Sequence, residues 1–299
     1  MSILIDKGTT VLVQGVTGKE GSRAAKEMLS YSTRVVAGVT PGKGGIKTDD
    51  NLPVFNTVRE SLAKFPDINT TLIAVPGAYA LEAILEAIWN KIPLINVLTE
   101  KIPVADVARA VALTKNAGVR IVGPSSVGIL VPEVVKVGSI GSSELAARVF
   151  KPGPVGVVSK SGGMTAEISR ILTEADIGQS TAVGIGGDLI IGSDFVDVIM
   201  EFERDRETEA VVIFGEVGGT YEEQLAERIG NGEIKKPIVC LIAGRFAAAL
   251  PEDSVLGHAG AIVSRGRGSA ESKIKSLSEA GAWIAETPEE IPEIVRKLL

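Results

Sequence analysis

One imidazole stands in this chain of 299 residues: His258, in the stretch GHAGA at 257–261. A neutral imidazole can act as a general base, a metal ligand or a nucleophile. Metal binding would need partners that are missing, because there is no second histidine and Cys240 is the only cysteine. A serine hydrolase would want a G-x-S-x-G elbow, and none occurs. The small residues on both sides of His258 clear the space that a bulky dianion needs, which favours a nucleophile that carries a phosphoryl group. A structural histidine on a loop is the ordinary alternative. A phosphorylated ring also needs donors for the phosphate and an acid to orient its other nitrogen. SKSGG at 159–163 offers the donors: Ser161, Gly162 and Gly163 precede a helix expected to begin near Met164 or Thr165. A simple N-cap by Ser161 is the plainer reading. Glu216, in GEVGG at a strand end, offers the acid.

A second set of loops suits a phosphate-bearing ligand. VLVQGVTGKEGSRAAKEML reads strand, glycine loop, helix, with Gly15, Gly18 and Gly21 spaced by three rather than as the G-x-G-x-x-G of dinucleotide binders. Glycines let a backbone approach a ligand closely, or they make a tight turn of helix on strand. GVTPGKGG at 38–45 ends the next strand and brings Lys43 towards that loop if the sheet is parallel; otherwise Lys43 is a solvated lysine. Glu100, in LTE at 98–100, closes a later strand, where it could accept from a ribose or amide group or cap a turn.

The elements that must position these loops are short β-branched runs alternating with helical stretches. Strands are predicted over 9–15, 33–39, 70–76, 93–99 and 119–124, with amphipathic helices such as YALEAILEAIWN between them. After 128–154, which carries no clear crossover helix and ends in Pro and Gly, further strands are predicted over 155–163, 180–188, 210–219, 236–244 and 282–287. The expected fold is α/β: a Rossmann-like domain over 1–127, a linker over 128–154 and a flavodoxin-like parallel-sheet domain over 155–299. Ligands of such sheets sit beyond the carboxyl ends of the strands, where nearly every glycine cluster falls.

Composition narrows the classes further. A net charge of −6 with no polybasic run argues against nucleic acid or an anionic membrane as the main partner. No signal peptide and no membrane-length apolar run is visible, so a soluble, cytoplasmic protein is expected. There is no P-loop, so a nucleotide that phosphorylates His258 would be held on a second polypeptide. An NAD-dependent dehydrogenase is disfavoured by the first glycine loop.

Six stretches, ILIDKGTTVLVQGVTGKEG, GVTPGKGG, LPVFNTVRE, GIGGD, TEAVVIFGEVGG and GHAGAI, together resemble the succinyl-CoA synthetase α-subunit family of nucleotide-dependent acyl-CoA ligases. The resemblance implies an ATP-grasp partner subunit that binds Mg-ATP, a phosphoryl group carried on His258, an acyl phosphate of a small carboxylic acid, and coenzyme A as the acceptor of the acyl group. By position it implies coenzyme A contacts at Thr17, Gly18, Lys19, Glu20, Lys43, Leu98, Thr99 and Glu100. It implies a role for Glu216 in steadying the histidine, a phosphate seat at Ser161–Gly163, and no metal ligand in this chain. Three loops depart from the succinate branch: GPSSVG at 123–128 for GPNCPG, SKSGGMTAE at 159–167 for SRSGTLTYE, and a longer, less basic loop at 245–260 before His258. Ala166 stands where that branch has a tyrosine. These changes resemble ATP-citrate lyase and citryl-CoA synthetase, and the chain ends at Leu299 without room for the lyase's cleavage domain. The expectation is therefore a citryl-CoA synthetase small subunit, with succinate–CoA ligase as the alternative, or a non-catalytic coenzyme A-binding protein, which GHAGA and GEVGG speak against.

Overall fold

Thr10–Gln14 (β1) is a run of five buried residues, the pattern of a strand covered on both faces. In the computed structural model, which describes residues 2–141, 143–244 and 268–299, it lies in the middle of a six-stranded parallel sheet. The other strands are Arg34–Val39 (β2), Val54–Phe55 (β3), Thr70–Ile73 (β4), Leu94–Val97 (β5) and Arg120–Val122 (β6). Their order is β3-β2-β1-β4-β5-β6, so the winding reverses between β1 and β4. Lys19–Ser30 (α1), Val58–Lys64 (α2), Ala80–Trp89 (α3) and Val104–Ala117 (α4) are the crossover helices. This is the doubly wound order of a Rossmann-like sheet, as expected. The two-residue β3 is too short to leave a periodic signal.

The second sheet contains Gly128–Val131 (β7), Val135–Gly138 (β8), Pro152–Ser159 (β9), Gln179–Gly184 (β10), Ala210–Glu216 (β11), Ile238–Ala243 (β12) and Trp283–Ala285 (β13). Its order is β13-β12-β11-β9-β10-β7-β8. The five strands from β9 on are parallel in flavodoxin-like order, with the reversal between β9 and β11. Ser143–Val149 (α5), Gly162–Glu174 (α6), Phe195–Arg204 (α7), Tyr221–Gly230 (α8), Ala270–Glu279 (α9) and Ile291–Arg296 (α10) accompany it.

Residues 128–154 are not a linker. They hold the antiparallel hairpin β7–β8, then α5, then the start of β9, and β7 pairs with β10. Both hairpin strands are buried along their length, so the alternation that would mark an antiparallel strand is missing. Pro152 and Pro154 sit in β9 ahead of Val155, where its pairing with β10 and β11 begins, so neither interrupts the ladder.

The hairpin joins the two sheets. Lys136 of β8 is fully buried; its Nζ donates to the Gly141 carbonyl at 2.6 Å and lies 3.5 Å from Glu27 Oε2 on α1. Its backbone exchanges hydrogen bonds with the Thr33 hydroxyl at 2.7 and 3.1 Å. Burial pulls the Lys136 ammonium below the ordinary lysine range. One apolar cluster runs from Ala24 and Met28 on α1 through Ile129 and Val137 to Val158 and Ile213. Arg120 and Glu201, 2.7 Å apart, close the same seam further along.

Candidate active site

At the reversal point of the first sheet, β1 runs into a turn that only glycine fits. Gly15 has a φ of +83°, and a Cβ there would lie 2.5 Å from the Ala74 carbonyl oxygen. A Cβ on Gly21 would lie 2.2 Å from the Gly15 oxygen, so the first turn of α1 sits directly on the loop. Gly18 is the N-cap and no side chain caps the helix, which leaves its first N–H groups for a ligand. Lys43 Nζ donates to Thr17 Oγ1 at 3.3 Å, and Thr17 donates on to Thr40 Oγ1 at 3.1 Å. Asn56 Oδ1 accepts from the Gly42 and Gly44 N–H groups at 2.9 and 3.0 Å, fixing the loop that carries Lys43. Among the described residues no carboxylate pairs with Lys43.

Lys19 and Glu20 are exposed on the first turn of α1. Glu20 is held by Arg23 at 2.5 Å, and that hydrogen bond keeps its carboxyl below the ordinary range. Leu98 N–H bonds the Ile73 carbonyl, and the Thr99 hydroxyl donates to the Val75 carbonyl at 2.8 Å. These two residues brace the turn after β4, while Glu100 is exposed beyond them.

At the reversal point of the second sheet, β9 ends at Ser159 and α6 begins at Gly162, two or three residues earlier than expected. Ser161 caps it, its Oγ accepting from the Met164 N–H at 3.4 Å, and the Thr165 N–H bonds the Ser161 carbonyl. The Ser159 hydroxyl donates to the Ser161 carbonyl at 2.7 Å and accepts from its N–H at 3.0 Å, which sets the turn. The Gly162 and Gly163 N–H groups are the remaining donors of the first turn. β9 pairs with β11, and Lys160 N–H bonds the Phe214 carbonyl, so this turn lies beside Gly215 and Glu216.

Sequence reasoning missed the charges beneath. Lys160 Nζ is 2.7 Å from Glu222 Oε1, and Lys273 Nζ is paired with Glu222 Oε2. All three side chains are 0–6% exposed. Lys160 is the lysine of SKSGG, and its place at a strand's carboxyl end between two serines was an available signal; Lys273, on α9, gave none.

His258 lies in 245–267, outside the described residues, as does the altered loop before it. The described residues on either side both meet the loop that follows Glu216. Gly218 N–H bonds the Gly268 carbonyl at 2.7 Å, and a Cβ on Gly244 would lie 2.7 Å from Val217.

Gly123–Val127 bridges the two carboxyl edges. Ser125 N–H bonds the Thr99 carbonyl, while its hydroxyl donates to Asp188 Oδ1 at 2.7 Å. Ser126 donates to the Gly184 carbonyl at 2.5 Å and accepts from Asn96 Nδ2 at 2.7 Å. Val127 fills the space above Gly162 and Gly184, where a Cβ would approach it to 2.1 and 2.5 Å. The structure thus brings Thr17 to Lys43 and the Ser161–Gly163 turn to Glu216, with this loop between the two sets. Among the described residues no metal-holding cluster of His, Cys, Asp or Glu forms, and no helix is long and apolar enough to cross a membrane.

A CoA-binding domain model matches residues 6–101 and a CoA-ligase model matches residues 158–283. The chain is 45% identical over 299 residues to the succinate–CoA ligase [ADP-forming] subunit alpha 2 of Archaeoglobus fulgidus, each covered completely. It is 46% identical over 301 residues to the alpha subunit of the Aquifex aeolicus enzyme, covering 100% of this chain and 95% of that one. Among solved structures, the ATP citrate lyase of Methanosaeta concilii in complex with (3S)-citryl-CoA superposes with a TM-score of 0.91 at 26% identity over 99% of this chain. This chain spans 50% of that protein's length. With two matched segments on two sheets and full-length identity near one half, the chain belongs to the succinate–CoA ligase alpha-subunit family.

Proposed function

We propose that this chain is the α subunit of an ADP-forming succinate–CoA ligase and works with an ATP-grasp partner that binds Mg-ATP. The observation that carries the acid is full-length identity of 45 and 46% to relatives named for succinate, against 26% to the citrate lyase. That difference outweighs the three loops that pointed to citrate.

In this reading the His258 imidazole attacks the γ-phosphorus of ATP; the N–P bond forms as the bond to ADP breaks. The phosphoryl group then passes to the substrate carboxylate, giving an acyl phosphate and restoring the imidazole. The Gly162 and Gly163 N–H groups, at the positive end of α6, hold the phosphoryl oxygens. Glu216 accepts from the other ring nitrogen of His258 and stabilises the positive charge that the ring gains. Coenzyme A supplies, when bound, the thiol that captures the acyl group and releases phosphate. The first sheet fits it: an uncapped helix start, a glycine turn that admits close approach, and a lysine with no carboxylate partner among the described residues. Thr17, Gly18, Lys19 and Lys43 line that seat, and Leu98–Glu100 flank it, with Glu20 contributing its N–H while Arg23 holds its carboxylate.

Gly15→Ala tests this seat. The left-handed conformation costs about 1–2 kcal/mol for a residue with a Cβ, and the methyl would press on Ala74. Coenzyme A affinity in titration calorimetry is expected to fall at least about tenfold, with phosphohistidine formation retained. Unchanged affinity would take this loop out of the coenzyme A site.

Citrate is the second reading, and one observation favours it: among the described residues beyond its own turn, a Cβ on Gly163 would meet nothing closer than Ser161 Oγ at 4.0 Å, which suits a larger acid beside the helix start. Acid-dependent ligation with ATP, coenzyme A and the partner subunit decides between them. Turnover with succinate and none with citrate is expected; citrate turnover alone would overturn the acid and keep the mechanism.

A further inference from the structure

Glu222, in the first turn of α8, is completely buried, and each of its oxygens meets a different part of the site. Oε1 lies 2.7 Å from Lys160 Nζ, in the turn that leads into α6, and accepts from the Glu216 N–H at 3.2 Å. Oε2 meets Lys273 Nζ, and Lys273 donates in turn to the Gly218 carbonyl at 2.7 Å. The loop after β11 is thus gripped at both ends, by the carboxylate at Glu216 and by the ammonium at Gly218. Between those ends Gly218 and Gly219 have φ values of +90° and +63°, a conformation that favours glycine, and the Gly218 N–H is also held by the Gly268 carbonyl at 2.7 Å. The fold makes way for the carboxylate: a Cβ on Gly215 would lie 2.7 Å from Glu222 Oε1. Lys160 Nζ is further enclosed by the Tyr221 and Phe195 rings, 5.6 and 5.9 Å from their centroids.

Stability does not explain such an arrangement. Three charges taken out of water lose hydration that their mutual attraction only partly returns, and apolar replacements of the same volume are often neutral or stabilising. The hydrogen bonds from these charges to the backbone of the site's loops are what apolar replacements would lose.

We propose that Glu222, with Lys160 and Lys273, is a positioning residue of the ligase site, fixing the Glu216 loop against the α6 phosphate seat in the geometry that phosphoryl transfer needs. The inference rests on the reading of that site given above. The three groups touch no reacting atom. Their effect is on the distance and angle between two loops, to which transfer rates are steeply sensitive.

A triple variant, Lys160→Met, Glu222→Leu and Lys273→Met, removes all three charges together with their hydrogen bonds to the Glu216 and Gly218 backbone and leaves no charge buried alone. In complex with the partner subunit and Mg-ATP, single-turnover phosphorylation of His258 is followed by mass spectrometry at alkaline pH. Coenzyme A affinity and the thermal midpoint are measured on the same samples. The expected result is a folded protein with parental coenzyme A affinity and phosphorylation slowed between about ten- and a hundredfold. A folded triple variant with the parental rate overturns the proposal, and so does a triple variant that fails to fold, which would assign the cluster to stability. A parent protein that shows no phosphohistidine overturns the reading of the site and this inference with it.

Discussion

His258→Asn is expected to abolish phosphoprotein formation and acid–CoA ligation while coenzyme A affinity stays at the parent value. Asparagine keeps a polar group of similar reach but has no nucleophilic ring nitrogen, so the N–P bond cannot form. Removal of a nucleophile that no neighbour can replace costs on the order of 10⁴-fold or more in turnover, and no second histidine exists in the chain to take over. The proposed coenzyme A seat belongs to the other sheet, at Gly15, Thr17 and Lys43, within the segment that matches the CoA-binding domain model. The two measurements should therefore separate: labelled phosphate on the protein disappears, and the calorimetric titration with coenzyme A does not change. Loss of both together would mean that the variant is misfolded or that the division of labour between the sheets is wrong.

Glu216→Gln is expected to fold normally and to phosphorylate slowly, by roughly 10²-fold. The residue ends β11, and its backbone N–H is already committed to Glu222, so the exchange of one oxygen for an amide leaves the strand in place. What is lost is the negative charge proposed to orient the imidazole and to balance the charge the ring acquires. Rapid-quench measurement of phosphohistidine formation reads this directly. A parental rate would remove Glu216 from the mechanism and direct attention to another acid in the site.

The elements carrying these residues were legible because both sheets are largely parallel. Strands covered on two faces read as continuous apolar runs, and TTVLVQG, AVVIFGEVGG and KPIVCLIAG could be placed from that pattern alone. The loops at their carboxyl ends were legible for a related reason, since glycine and serine cluster where a backbone must turn and approach a ligand. The hairpin at 128–138 broke the rule, being antiparallel yet buried on both faces, and the Pro and Gly that end the interval at 152–154 made it read as a linker. The start of α6 was read late because the two glycines after Ser161 are weak helix formers, and the cap outweighs them. The Glu222 cluster was legible only at Lys160, from its place between two serines: Lys273 and Glu222 are 51 residues apart, and nothing local to either announces the other. Glu20 illustrates the converse, a residue in a matching motif whose carboxylate is occupied by Arg23 one turn away.

The β7–β8 hairpin also bears on modularity. The matched CoA-binding segment stops at residue 101 and the matched ligase segment starts at residue 158, which invites treatment of the halves as interchangeable cassettes. The hairpin lies between them. It is stitched by hydrogen bonds into the second sheet, and by Lys136 and Gly138 to Met28 of the first helix and Thr33 of the turn after it. A chimera joined before the hairpin parts Lys136 from Glu27, one joined after it parts β7 from β10, and either opens an apolar seam. The hairpin couples the two halves, and a workable graft must carry it together with α1.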